Sequence, residues 1–337
     1  MRKDHPDGWS FCRLSTPKRY ETKLSTPERG IMDILDQKIT DNYAIYNADT
    51  TEAIKMIPDN SIGMIVYSPP FSSLYTYSNS DRDLGNSRND DEFFAHFSFI
   101  IEDMFRILMP GRIMAVHCMN LPTSKEHDGY IGIRDFRGDL IKAFQKVGFI
   151  YHAEVCIWKN PVTAMQRTKA LGLLHKQIKK DSCMSRMGLP DYVVFMRKPG
   201  DNPQRVTHTN ETFPVDLWQD YASPIWDEVN SPVWWDINQS DTLNRMLSDE
   251  ESERHICPLQ LPVIERCLKL YSNEGDTVFT PFMGIGSEVY QAVKMNRKGI
   301  GIELKREYYL QAVKNLDTLD NDKNQMTLED YFSSLTI

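Results

Sequence analysis

The run VFTPFMGIGSEVYQAVKMNRKGIGIEL, from Val278 to Leu304, sets chemistry-bearing residues at a spacing suited to a nucleoside ligand. An apolar strand enters a Gly-rich turn, the turn opens a helix, and a second apolar strand ends in Glu303. Gly284 and Gly286 let a ligand approach the backbone, and the start of the helix supplies unpaired N–H groups to an anionic group. A carboxylate at the end of the second strand is placed to accept hydrogen bonds from ribose hydroxyls. Dinucleotides and S-adenosylmethionine both use this geometry. A dinucleotide fingerprint needs a third glycine, and that position holds Val289, which counts against a pyrophosphate. A tight turn followed by a surface glutamate is the plainer alternative.

A second stretch, IGMIVYSPPFSSLY (Ile62 to Tyr75), is an apolar strand that stops at a serine, two prolines and an aromatic residue. Proline at a strand end loses nothing by its missing N–H. Two in succession hold the backbone extended, so their carbonyls are acceptors of fixed direction. Ser68 Oγ and the Pro69 carbonyl can accept both hydrogens of an exocyclic amine such as that of adenine or cytosine. Pro70 keeps the backbone rigid and Phe71 offers a face for the base. Drawing on both hydrogens favours a tetrahedral nitrogen whose lone pair leaves the ring plane. A sulfonium methyl set before it invites in-line displacement, with orientation and electrostatics as the catalytic terms. Taken alone, the two prolines also suit ordinary strand-to-turn punctuation.

The elements that must position these residues read as α/β. Strands are predicted at Tyr43–Asp49, over SIGMIVY, over RIMAVHC, at Phe149–Lys159 and Asp191–Arg197, over DTVFT and over KGIGIE. Helices are predicted over TTEAIKMI, Asp90–Leu108, FRGDLIKAFQKVG, SEVYQAVKMN and KREYYLQAVKNL. Strands alternating with helices imply a mainly parallel sheet covered on both faces. The strands at 149–159 and 191–197, far apart in sequence, are candidates for an antiparallel pair. Residues 200–250 hold four of the six tryptophans (Trp218, Trp226, Trp234, Trp235) and read as an excursion from the sheet, a recognition element or a packing clamp.

Together the two motifs are far more specific than either, and here the chain resembles the DNA amino-methyltransferases that modify N6 of adenine or N4 of cytosine. The resemblance runs from about Tyr43 to Leu316. SPPF, Ser68 to Phe71, is similar to the family's catalytic motif. PFMGIGS is similar to its methionine-binding loop, which implies cofactor contacts at Pro281, Phe282, Gly284, Gly286 and Ser287. Glu303 matches the ribose-binding acid, Asp49 the acid that contacts the cofactor's adenine, and the segment Arg254 to Ser272, with His255, the motif that closes over the cofactor. The catalytic motif precedes the cofactor loop, the permuted order of the beta class. The resemblance therefore implies a Rossmann-like S-adenosylmethionine-dependent methyltransferase sheet, circularly permuted, with an inserted recognition region. The chain departs from the pattern at Thr280, where an acid usually precedes PF; contact with the methionine amino group is then lost or supplied from elsewhere. Tyr67 stands where threonine often precedes SPP in the cytosine-N4 branch. SPP leans toward cytosine.

Composition sets bounds on this reading. The chain of 337 residues carries a net charge of −8, yet residues 159–198 hold nine Lys/Arg against two acids. This basic insertion, with Arg167, Lys169, Lys176, Lys179, Lys180 and Arg186, is the candidate surface for double-stranded DNA phosphates; a solvated basic helix is the bland alternative. Tyr75 and Tyr77, in the loop after SPPF, are candidates to stack on bases around an extruded nucleotide. His117 and Cys118 read as core and pocket-edge residues. The six cysteines form no CxxC pair, no Cys/His spacing suits zinc, and no apolar run reaches the roughly 18 residues of a membrane span. The expectation is a reduced, cytoplasmic protein, bacterial or phage-encoded, without metal; a homodimer is left open. Its parts read as a flexible arm (1–30, with the repeat LSTPKR/LSTPER, or a basic arm on DNA), a catalytic half (31–199, insertion at 160–190), the Trp-rich region (200–250), a cofactor-binding half (251–317) and an acidic tail (318–337), frayed or loosely docked. RNA or protein-glutamine methylation, and a non-catalytic DNA-binding relic, are the competing readings.

Overall fold

Short β-branched and aromatic runs bounded by Gly, Pro, Asn and Asp give the strands, and apolar residues at helical spacing give the helices. The computed structural model describes residues 34–70, 84, 87, 90–123, 125, 128–160, 179–184, 188–222, 233–243 and 258–324. The strands are β1 (Asp36–Ile39), β2 (Tyr43–Asn47), β3 (Met64–Tyr67), β4 (Ile113–Met119), β5 (Leu121–Pro122), β6 (Ile133–Arg134), β7 (Ile150–Ile157), β8 (Asp191–Arg197), β9 (Val233–Trp234), β10 (Thr277–Thr280) and β11 (Lys298–Glu303). The helices are α1 (Thr50–Ala53), α2 (Asp90–Ile107), α3 (Phe136–Val147), α4 (Val215–Ala222), α5 (Leu261–Tyr271), α6 (Ser287–Lys294) and α7 (Arg306–Asn324).

All but β5 and β6 form one sheet in the order β1-β2-β11-β10-β3-β4-β8-β7-β9. The run from β2 to β4 is parallel. β2 and β3 are neighbours in sequence, yet β11 and β10 from the far end of the chain lie between them. This is the permuted arrangement expected above. β8 pairs antiparallel with both β4 and β7, as the sequence suggested for the 149–159 and 191–197 strands.

A strand covered on both faces must be apolar throughout, and all four residues of β3 are buried. Ile65 and Tyr67 face the core built on α2 and α3, with Phe93, Phe97 and Phe144. Met64 and Val66 face the opposite core, with Val263, Cys267 and Trp234. A third cluster packs Met283 and Val289 against Tyr308 and Tyr309 of α7. The two sequence halves are clipped at both ends of the strands. Thr50 Oγ1 donates to the Pro281 carbonyl at 2.5 Å. At the other end the buried Arg112 pairs with Asp276 and donates Nε to the Gly63 carbonyl at 2.6 Å.

Two expectations are corrected. The Trp-rich region is not wholly an excursion: β9 pairs in parallel with β7, and Trp234 is fully buried. Its indole N–H donates to the Tyr221 carbonyl at 3.0 Å, and the Arg266 guanidinium lies over its ring. The acidic tail does not begin at 318, because α7 continues to Asn324 and buries Leu319. Among the described residues no helix is long and apolar enough to cross a membrane. The 1–30 arm lies outside the described residues.

Candidate active site

In a parallel sheet the ligand crevice lies beyond the carboxyl ends of the strands, where connections leave to opposite sides. Here β2 delivers Asp49, β3 delivers Ser68 and the prolines, β10 the Gly-rich loop and β11 Glu303. All border one open cleft of about 950 Å³. Of the residues singled out from sequence, Asp49, Ser68, Pro69, Pro70, Pro281, Phe282, Gly284, Ser287 and Glu303 line it. Gly286 lies beneath the lining; its φ is +92°, and a Cβ there would sit 3.1 Å from the Cβ of Ala312 on α7. Phe71, Tyr75, Tyr77, Arg167, Lys169, Lys176, Arg186 and His255 lie outside the described residues.

The Gly-rich loop is organised around Glu303. Gly284 N–H donates to Oε2 at 2.7 Å and Lys305 N–H to Oε1 at 2.8 Å. A carboxylate oxygen can accept more than one hydrogen bond. Asn47 Nδ2 holds the carbonyls of Glu303 and Leu304 at 2.8 and 3.0 Å. Gly286 N–H donates to the Met283 carbonyl at 2.9 Å. The N–H groups of both glycines are therefore spent inside the loop. Asp49 caps α1, its Oδ1 accepting from Thr51 N–H at 2.9 Å and Thr51 Oγ1 at 2.8 Å. The cleft thus pairs carboxylates with an apolar wall of Pro258, Leu259 and Ile302, a lining suited to a nucleoside with hydroxyl and amino donors.

Facing this, Ser68 carries a buried polar chain. Ser68 Oγ lies 3.2 Å from His117 Nδ1, and His117 Nε2 lies 3.1 Å from Asp191 Oδ2. Lys159 pairs with the same Asp191 oxygen. Burial by itself raises the Asp191 carboxyl, but the charges and hydrogen bonds of Lys159 and His117 outweigh it and hold the group below its ordinary value. An ionised carboxylate only accepts, so His117 Nε2 carries the proton. When the ring carries that one proton, Nδ1 is an acceptor for the Ser68 hydroxyl, which also lies 3.4 Å from the His117 carbonyl. The bond to Ser68 extends the reading of His117 as a core and pocket-edge residue. No local signal marks it, because Asp191 and Lys159 arrive through the β4–β8–β7 pairings. Tyr67, whose hydroxyl is buried without a partner among the described residues, ends β3 with its ring 5.9 Å from that of Phe282.

Two of the nine Lys/Arg counted between 159 and 198 flank the insertion and are engaged inside the protein. Lys159 is spent on Asp191 and Lys198 is buried, donating to Asn60 Oδ1 and the Leu108 carbonyl at 2.8 Å each. Lys179 and Lys180 are exposed on a turn. Nearer the cleft end of the sheet, Trp158 and Trp235 are exposed neighbours, ring centroids 6.0 Å apart.

Glu288, in the first turn of α6, also lines the cleft and is only 4% exposed. Burial, then the nearby Glu303, pushes its carboxyl up to about 8, against a lowering backbone hydrogen bond. Sequence reading passed over it because a charged residue on an amphipathic helix is ordinarily solvated.

Comparisons with known proteins agree with this geometry. The Type II methyltransferase M.BglII of Bacillus subtilis is 26% identical over 294 residues, 85% of this chain and 73% of its own. The Type II methyltransferase M.MjaI of Methanocaldococcus jannaschii is 22% identical over 79% of this chain and 88% of its own. In fold, the PvuII DNA methyltransferase (cytosine-N4-specific) matches with a TM-score of 0.58 at 15% identity, over 84% of this chain and 90% of that one. A Thermus thermophilus protein solved in complex with S-adenosyl-L-methionine matches with a TM-score of 0.58 at 20% identity, over 80% and 91% of the two chains. The family model described as DNA methylase, for N6 and N4 methyltransferases, covers residues 62–314, and the chain belongs to that family.

Proposed function

We propose that this DNA methyltransferase moves a methyl group from S-adenosylmethionine to the exocyclic amine of a base flipped out of duplex DNA, N4 of cytosine in preference to N6 of adenine. The observation that carries the reading is the single cleft shared by Ser68-Pro69-Pro70 and the Gly-rich loop with Glu303. The cofactor supplies an electrophilic methyl on sulfur. Glu303 accepts from its ribose, Asp49 from its adenine amine, and Pro281, Phe282, Gly284, Gly286 and Ser287 shape the seat of its methionine part.

Ser68 Oγ and the Pro69 carbonyl hold the two hydrogens of the target amine, and Pro70 fixes the direction of that acceptor. Because the Ser68 hydroxyl proton points to His117, its lone pairs remain free to face the amine. The nitrogen lone pair forms the new N–C bond as the C–S bond breaks. The surplus proton leaves the nitrogen toward Ser68 Oγ and the His117 ring. Phe71 stacks on the flipped base, while Tyr75, Tyr77 and the 160–190 insertion, with Lys179 and Lys180, meet the DNA. The serine opening S-P-P supports cytosine.

The test is incubation with labelled S-adenosylmethionine and unmethylated duplex DNA, followed by digestion and identification of the nucleoside. N4-methylcytosine is the expected product. N6-methyladenine would overturn the base assignment, and label found in RNA or protein but not DNA would overturn the substrate.

A further inference from the structure

Glu288 is a carboxylate without a counter-ion among the described residues. It sits at the start of α6, is 4% exposed, and borders the cleft. Among the described residues no Lys, Arg or His forms an ion pair with it. A buried carboxylate in that position is costly unless a cation joins it. The charged and titratable groups sharing the cleft are Glu303 at the end of β11, Asp49 beyond β2, Lys305 just before α7 and Tyr308 of α7. Lys305 Nζ lies over the Tyr308 ring, 3.9 Å from its centroid. From α5, Glu265 is engaged by Gln291 Nε2 at 3.3 Å. Glu303 is a second acid and raises the cost of ionising Glu288. At the end of β10, where the family pattern has an acid, stands Thr280, neutral, with its buried hydroxyl unpartnered among the described residues.

From this placement we infer that Glu288 binds the α-ammonium group of the cofactor's methionine moiety and supplies the negative charge that Thr280 does not. The inference rests on the reading of this cleft as the S-adenosylmethionine site. It carries a signature that a merely structural glutamate lacks. The carboxyl is largely protonated near neutral pH in the free protein, since burial and Glu303 push it up to about 8. An ammonium ion beside it favours the ionised form, so ligand binding expels a proton.

The probes are S-adenosylhomocysteine, which keeps the ammonium group, and methylthioadenosine, which lacks the whole amino-acid part. Titration calorimetry of the wild-type protein between pH 6 and 7.5 in buffers of different ionisation enthalpy reads the proton directly. For S-adenosylhomocysteine, release approaching one proton is expected, with affinity rising by about tenfold per pH unit at the limit; for methylthioadenosine, neither. Glu288→Gln is expected to weaken S-adenosylhomocysteine about 10- to 100-fold and erase its proton release, leaving methylthioadenosine unchanged.

Wild-type protein that binds methylthioadenosine but takes S-adenosylhomocysteine without proton release overturns the role of Glu288 and leaves the cleft assignment standing. Failure of both ligands to bind overturns the cleft assignment itself. A Glu288→Gln variant that binds both ligands as wild type does, yet methylates slowly, moves Glu288 to the transfer step and overturns this inference. The wild-type measurement stands alone if the variant does not fold.

Discussion

Replacing Asp191 with asparagine tests whether the polar chain behind Ser68 acts on the reaction. Asp191 Oδ2 receives both His117 Nε2, at 3.1 Å, and Lys159. An amide in its place can offer a donor to Nε2, which turns the ring so that Nδ1 carries the proton and points it at Ser68 Oγ. The Ser68 lone pair meant for the target amine is then shared with His117. A charge-assisted hydrogen bond is worth about 1.5–3 kcal/mol, so the transfer rate should fall by about 10- to 150-fold. Affinity for S-adenosylhomocysteine should not change, because neither Asp191 nor His117 borders the cofactor cleft. The fold should lose about 3 kcal/mol, the lower end for breaking a buried pair, because Lys159 keeps 18% of its side chain exposed and can turn to water. Single-turnover transfer to duplex DNA measures the rate, and thermal unfolding reports the fold. The decisive comparison is a double-mutant cycle with Ser68→Ala. If Asp191 acts through Ser68, Asp191→Asn adds little to the Ser68→Ala defect. A full, multiplicative loss in the double variant, or a wild-type rate in Asp191→Asn, refutes the reasoning.

Other outcomes follow from particular contacts. Gly286→Ala should destabilise the protein by at least about 1–2 kcal/mol, because φ is +92° and the new Cβ would meet Ala312 Cβ at 3.1 Å; a denaturant midpoint equal to wild type would contradict this. The Glu288 carboxyl, raised from 4.5 to about 8 when folded, makes the ligand-free protein lose stability as pH climbs through that window, by at most about 5 kcal/mol. Glu288→Gln should flatten that slope in thermal unfolding, and a slope unchanged by the substitution would assign it to other groups. Trp158→Ala combined with Trp235→Ala should raise the KM for DNA with little change in kcat, by about 1–3 kcal/mol per lost base-stacking contact; unchanged DNA binding would remove this exposed pair from the substrate surface.

Element type and order were legible in the sequence because they are local. Met64–Tyr67 is apolar on both faces and could only be a covered strand; Asp90–Leu108 repeats its apolar residues at helical spacing; Gly148 ends α3 with φ +114°. The S-P-P and G-x-G motifs were legible for the same reason, since prolines and glycines restrict or free the backbone wherever they stand. The permuted order of the sheet followed from the order of the motifs. What only the tertiary structure decided is which distant side chains meet. His117 reaches Asp191 because β4 pairs with β8 in a register that sets His117 against Val193 and Met119 against Asp191. Lys159 reaches the same carboxylate because β7 pairs with β8 in turn, and so a residue included in the basic charge count over 159–198 becomes an internal counter-ion. Trp234 entered the core through two residues of β9, too few to show a period. Glu288 carries no local mark in the sequence; the packing of α6 against β11 and α7 removes its water. Charge and polarity are written in each residue, but burial and partnership belong to the assembled sheet, and those decide what its carboxylates can bind.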